Sequence, residues 1–96
     1  MDPVDPLVLH KGLDAFKKLF IERAAQADVA IDIYGFAKAD CEAPTQEFYV
    51  LGETVPRSRT RLSTALLLEM GKEDPDAVRF LRGEITHILQ SLQLNS

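Results

Sequence analysis

Apolar residues fall at Leu9, Leu13, Phe16, Phe20, Ala24, Ala27, Ile31 and Tyr34, always three or four positions apart. That period places them on one stripe of an α-helix. Asp5-Pro6 supplies an N-cap residue followed by proline at the first helical position. The pattern predicts a helix over about 6–35, with Gly35 as its first stop, and such a rod is about 45 Å long at 1.5 Å per residue. Val29, Ile31 and Ile33 also alternate with Ala30, Asp32 and Tyr34, as a strand would, and 47–52 is a second strand candidate. Paired as a hairpin around 38–46, the two would give an α+β fold. Helix is the preferred reading of 29–34, because the helical spacing runs through it without a slip.

Residues 35–56 are punctuated by Gly35, Pro44, Gly52 and Pro56. They read as a loop, a short helix or extended piece at 46–51, and a turn. A second helix is predicted over about 57–70, with Leu62, Leu66 and Met70 on one face and Gly71 as a C-cap residue. A third follows Asp74-Pro75 over about 75–93, its stripe formed by Val78, Leu81, Ile85, Ile88 and Leu92, with Gly83 as an interruption. The expected fold is all-α, a long helix plus two shorter helices in one domain over 1–96. A chain of 96 residues is marginal as a lone monomer. The long stripe therefore points to a homodimer with Leu9, Leu13, Phe16, Phe20 and Ile31 in its seam.

Composition narrows the classes. At 46% hydrophobic the chain is ordinary for a globular domain. Its wholly apolar runs, such as 65–68 and 29–31, fall far short of the roughly 18 residues that cross a membrane. The acidic opening Met1-Asp2-Pro3-Val4-Asp5-Pro6 lacks the basic residues of a secretory leader, so a cytoplasmic location is expected. The single cysteine, Cys41, leaves no internal disulfide and no thiolate zinc site. There is no glycine-rich phosphate loop, nucleophile elbow or His-Glu-x-x-His, so no enzyme is expected and no cofactor or metal. His10 and His87 read as surface or interface groups, and Asp28 and Asp32, one helical turn apart, as a solvated face. Cys41, between Asp40 and Glu42, has neighbours that oppose thiolate formation.

Charge is more informative. The net charge is −4, yet 54–68 holds Arg57, Arg59 and Arg61 and no acid, so this window is +3 and the remainder −7. On a helix Arg57 and Arg61 lie one turn apart, with Ser58, Thr60 and Thr64 as nearby hydroxyls. Fork donors beside small hydroxyls suit phosphate oxygens. The other reading is a solubilising face, or salt bridges to acids elsewhere. Lys11, Lys17, Lys18 and Arg23 are placed to extend a basic face along the first helix.

The segment Thr60-Arg61-Leu62-Ser63-Thr64-Ala65-Leu66-Leu67, followed by Pro75-Asp76-Ala77-Val78-Arg79-Phe80-Leu81-Arg82-Gly83-Glu84, resembles the small RNA-silencing suppressors of insect nodaviruses. Those proteins carry Ser/Thr-Arg near a Thr-Ser-Leu-Leu helix segment, then Pro-x-x-Val-x-aromatic-Leu-x-Gly. The match covers about a third of the chain, and Leu7-Val8-Leu9 and Ile21-Glu22-Arg23-Ala24-Ala25 echo the family's first helix. The resemblance implies an antiparallel homodimer forming an elongated four-helix bundle that lies along double-stranded RNA without reading bases. It implies that the protein shields RNA from silencing in the cytoplasm of an infected host cell, with a host silencing protein as a further candidate partner. Arg61 falls on the family's RNA-contacting arginine and Ser58 one turn earlier. Arg57, Arg59 and Thr64 join them as RNA-binding candidates from the basic window alone. Pro56, the extra residues 70–74, Thr54 at a family lysine and the amphipathic 85–92 depart from the family pattern. The rival reading is a small dimeric helical module that binds or inhibits a protein partner without touching nucleic acid.

Overall fold

The long stripe is divided between a helix and a sheet. The computed structural model describes residues 5–52 and 57–94. Helix α1 spans Pro6–Gln26, capped by the Asp5 carboxylate, which accepts from the Leu7 N–H at 2.9 Å. It stops well before Gly35. Asp28 takes the left-handed conformation at φ 59°, the Val29 N–H returns to Ala24 O at 2.9 Å, and the Asp28 N–H to Ala25 O at 3.2 Å. This is a Schellman ending, with aspartate where glycine is usual. Asp28 is thus a backbone terminator, and Asp28 and Asp32 do not share a helix face.

Three antiparallel strands follow: β1 over Ile33–Phe36, β2 over Thr45–Leu51 and β3 over Ser58–Ser63, in the order β1-β2-β3. Two short helices' worth of sequence is thereby extended. Helix α2 covers only Thr64–Gly71, with the Ser63 hydroxyl accepting from the Leu66 N–H, and α3 runs over Pro75–Leu94 without a break at Gly83. The chain is therefore α+β. The expected all-α fold, its helix over 29–35 and its helix over 57–63 are overturned, and with them the elongated four-helix bundle. Thr54 and Pro56 lie outside the described residues.

The reason is visible in what the extended segments bury. On β2, Gln46, Phe48 and Val50 are buried while their neighbours are not, a period of two. Phe48 packs edge-on against Phe16 and Phe20, with ring centroids 4.9 Å apart in both pairs. Tyr34 and Phe36 of β1 reach the same cluster, at 5.9 Å from Phe20 and 5.6 Å from Phe16. An extended 33–36 delivers two aromatics to the α1 stripe, and the β-branched residues before it suit that conformation.

The helices lie on one side of the sheet. α1 and α2 pack against it and each other, and α3 packs on α1 and α2. Where α1 crosses α2, glycines let the backbones touch: a Cβ on Gly12 would strike the Leu67 carbonyl oxygen, and one on Gly71 the Val8 carbonyl oxygen. Leu9, Leu13, Phe16 and Phe20 are buried in this core, and Ile31 packs half-buried on its edge. The stripe expected to meet a second copy is covered by the chain's own sheet and helices.

Candidate nucleic-acid interface

With all helices on one side, the other face of the sheet is left uncovered, and strand alternation decides what it carries. In the register, Glu47 stands opposite Arg61, Tyr49 opposite Arg59, and Thr45 opposite Ser63. On the β1 side Tyr49 stands opposite Gly35 and Leu51 opposite Ile33. Because side chains alternate, Gln46, Phe48 and Val50 point to the helices, and all of these partners point away. Arg59 and Arg61 are exposed on β3, and Arg57 is exposed just ahead of it. Three arginines at every second residue form a row with a spacing of about 6.8 Å.

The middle of the face is aromatic. Tyr49 is half-buried, and its ring lies over Gly35, where an added Cβ would sit 3.4 Å from the tyrosine oxygen. The far end is apolar: Ile33 is 51% exposed and Leu51 40%. Between Tyr49 and the row lies a hollow of about 250 Å³ lined by Ala37, Glu47, Tyr49, Arg57 and Arg59.

One acid interrupts the row. Glu47 Oε1 lies 3.5 Å from Arg59 Nη1, with the two side chains 39% and 58% exposed. An exposed pair of this kind contributes about 0–1 kcal/mol. The acid-free window of the sequence therefore has an acid against it in space, which only the β2–β3 pairing reveals.

The structure gathers Arg57, Arg59 and Arg61 and separates the other two candidates from them. Ser58 pairs with Val50 and points to the helix side. Thr64 is 5% exposed, its hydroxyl donating to Ala43 O at 2.7 Å and accepting from Gln46 Nε2 at 2.8 Å. Gln46, 3% exposed, also donates to Asp40 O and accepts from the Asp40 N–H at 3.0 Å. Thr64 and Gln46 together clamp the loop 37–44 against β2 and α2. Half-buried Cys41 of that loop packs on the core.

The α1 cations do not extend the row, because α1 lies on the other side of the sheet. There Lys17 pairs with Asp14 at 3.6 Å and Arg23 donates to Thr86 Oγ1 at 3.2 Å. His10 is exposed on α1 and His87 on α3. Among the described residues no three His, Cys, Asp or Glu side chains come together as a metal site would need, and no helix is long and apolar enough to cross a membrane.

Glu47 and Tyr49 are the site residues that sequence reasoning missed. Their signal was the alternation in Gln46-Glu47-Phe48-Tyr49-Val50-Leu51, which sets the glutamate and the tyrosine on one face and the glutamine, phenylalanine and valine on the other.

No protein-family model matches the chain, and no characterised protein or solved structure matches it either.

Proposed function

We propose that the chain binds RNA, in its double-stranded form, through the open face of the sheet and without reading base sequence. The observation that carries this is the row of Arg57, Arg59 and Arg61, alternating along edge strand β3 and the residue just ahead of it, on the face that the described helices leave open. Fork donors repeated at this spacing grip successive phosphate oxygens. A-form RNA presents backbone and 2′-hydroxyls rather than readable bases. Among the described residues the face carries no Asn or Gln, the side chains that read adenine edges, since Gln46 points inward and is fully engaged. A chain that is acidic overall binds nucleic acid when its cations converge in this way. Coverage of the backbone would also keep processing nucleases off the RNA, which is the role the resemblance implies.

The test is titration of a random-sequence RNA duplex with the protein and with Arg61→Gln. One charged contact is worth about 1.5–3 kcal/mol, so the variant should bind about 10- to 150-fold more weakly while remaining folded. Arg79→Gln, an exposed position on α3, is the control and should change little. Wild-type binding should fall steeply with salt, and single-stranded RNA and duplex DNA should bind less well. A folded Arg61→Gln protein that binds duplex RNA at full strength refutes the proposal. The exposed pair Ile33 and Leu51 favours a second reading, a protein partner such as a host silencing protein docked on the same face. Salt-insensitive capture of a protein, with no RNA shift, would select it.

A further inference from the structure

We propose that the hollow beside Tyr49 receives one unpaired nucleobase, so that the face holds duplex RNA best at an end carrying single-stranded nucleotides. This rests on the RNA-binding reading and adds to it a subsite that the arginine row alone does not require. The row lies along β3, and Tyr49 stands directly opposite Arg59 on the neighbouring strand, about 4.8 Å away at the backbone. A strand whose phosphates follow the row therefore has its bases directed either off the sheet edge or across it, over Tyr49.

Three features suit the second direction. Gly35 has no side chain, so the Tyr49 ring settles over β1 rather than standing up into the path of a ligand. Ala37 adds little bulk to the hollow, and Arg57, Arg59 and Glu47 line it together with Tyr49. Both an aromatic ring and a planar guanidinium stack on a base, and such stacking is indifferent to which base it is. The hollow, at about 250 Å³, has room for a nucleobase. Within a continuous duplex the bases are already stacked on one another and closed to this contact. Only an unpaired nucleotide can occupy the hollow while the adjoining duplex keeps its phosphates on the row.

The experiment compares two RNA probes with the full chain: a blunt random-sequence duplex, and the same duplex with two unpaired nucleotides at each end. Wild-type protein should bind the second about fivefold to tenfold more tightly, the low end of what base–aromatic stacking supplies. Tyr49→Phe should keep that preference. Tyr49→Leu should lose the preference between the two probes, with circular dichroism checking its fold. Equal binding of the two probes by wild-type protein overturns the inference and leaves the RNA-binding reading standing. A preference that survives Tyr49→Leu also overturns it. Failure to bind either probe overturns both.

Discussion

Replacing Glu47 with glutamine should strengthen RNA binding. Its carboxylate lies 3.5 Å from the Arg59 guanidinium, on the face where phosphates are expected. A phosphate taken by Arg59 on its free side would stand about 6–7 Å from that carboxylate, one ion-pair distance plus one charge-assisted hydrogen bond. At that separation two like charges repel by about 0.6 kcal/mol in water and by about 1.3 kcal/mol where the effective dielectric is halved. Glu47→Gln should therefore tighten duplex RNA by about three- to eightfold. The gain should shrink as salt rises, because screening sets in beyond about 8–10 Å and weakens every exposed charge pair. Folding should hardly change, since the lost pair is exposed and contributes about 0–1 kcal/mol. Fluorescence anisotropy at roughly 50 mM and 200 mM salt reads both effects, and the gain should be smaller again when Arg59 is also changed to glutamine. A folded Glu47→Gln protein with unchanged or weakened affinity at low salt would refute the assignment of RNA to this face.

The two glycines of opposite meaning give a paired test of the fold. Gly12→Ala should destabilise by about 1–3 kcal/mol, because its Cβ would strike a backbone carbonyl that cannot swing aside, whereas Gly83→Ala, with nothing within 4 Å, should stabilise by about 0.5–1 kcal/mol. In a thermal melt each kcal/mol moves the midpoint by about 4–8 °C, and shifts of the same sign would contradict the α1–α2 crossing. Thr64→Val should cost about 1–3 kcal/mol by stripping Gln46 and Ala43 of a buried partner. Amide exchange should then quicken over 37–44, and unchanged protection there would contradict the clamp.

How much of this was legible in the sequence depends on which physical signal each segment carried. The apolar stripe through Ala24 marked α1 because nothing competes with a 3.6-residue period there. From Val29 onward the same residues satisfied both periods. The choice was made by tertiary contacts, the delivery of Tyr34 and Phe36 to a cluster built on Phe16, Phe20 and Phe48, which no local pattern contains. The α1 terminator was hidden because Asp28 does the work usually given to glycine. At Gly71 the expected helix stop holds, since α2 ends there, but the left-handed residue that turns the chain is Glu73, at φ 64°, with the Asp74 N–H returning to Glu69 O. Gly71 is small because Val8 lies against it. Of the residues read as a homodimer seam, Leu9, Leu13, Phe16 and Phe20 are buried within the chain's own core and Ile31 is half-buried at its edge. Three strands at 33–63 supply the surface that a second copy was expected to provide.

The arginines show why the fold correction alters the functional argument without dissolving it. On a helix, Arg57 and Arg61 share a face and Arg59 points nearly the opposite way, at 100° per residue. On a strand all three point the same way. The hydroxyls change sides in the same step: Ser58 turns to the helix side and Thr64 is consumed by the Gln46 clamp, so neither remains for phosphate. In exchange the pairing of β2 with β3 brings Glu47 and Tyr49 against the row, one opposing an anion and one offering a ring. Among the described residues the open face thus carries three cations against one acid, within a chain whose net charge is −4. A local field of this sign on an acidic protein steers an anionic partner to one face and turns it away from the rest. In the proposed RNA-binding mode, Tyr49 beside the row would distinguish a polyanion that also carries aromatic bases from one that is acidic alone, which is the chemical difference between RNA and an acidic protein surface.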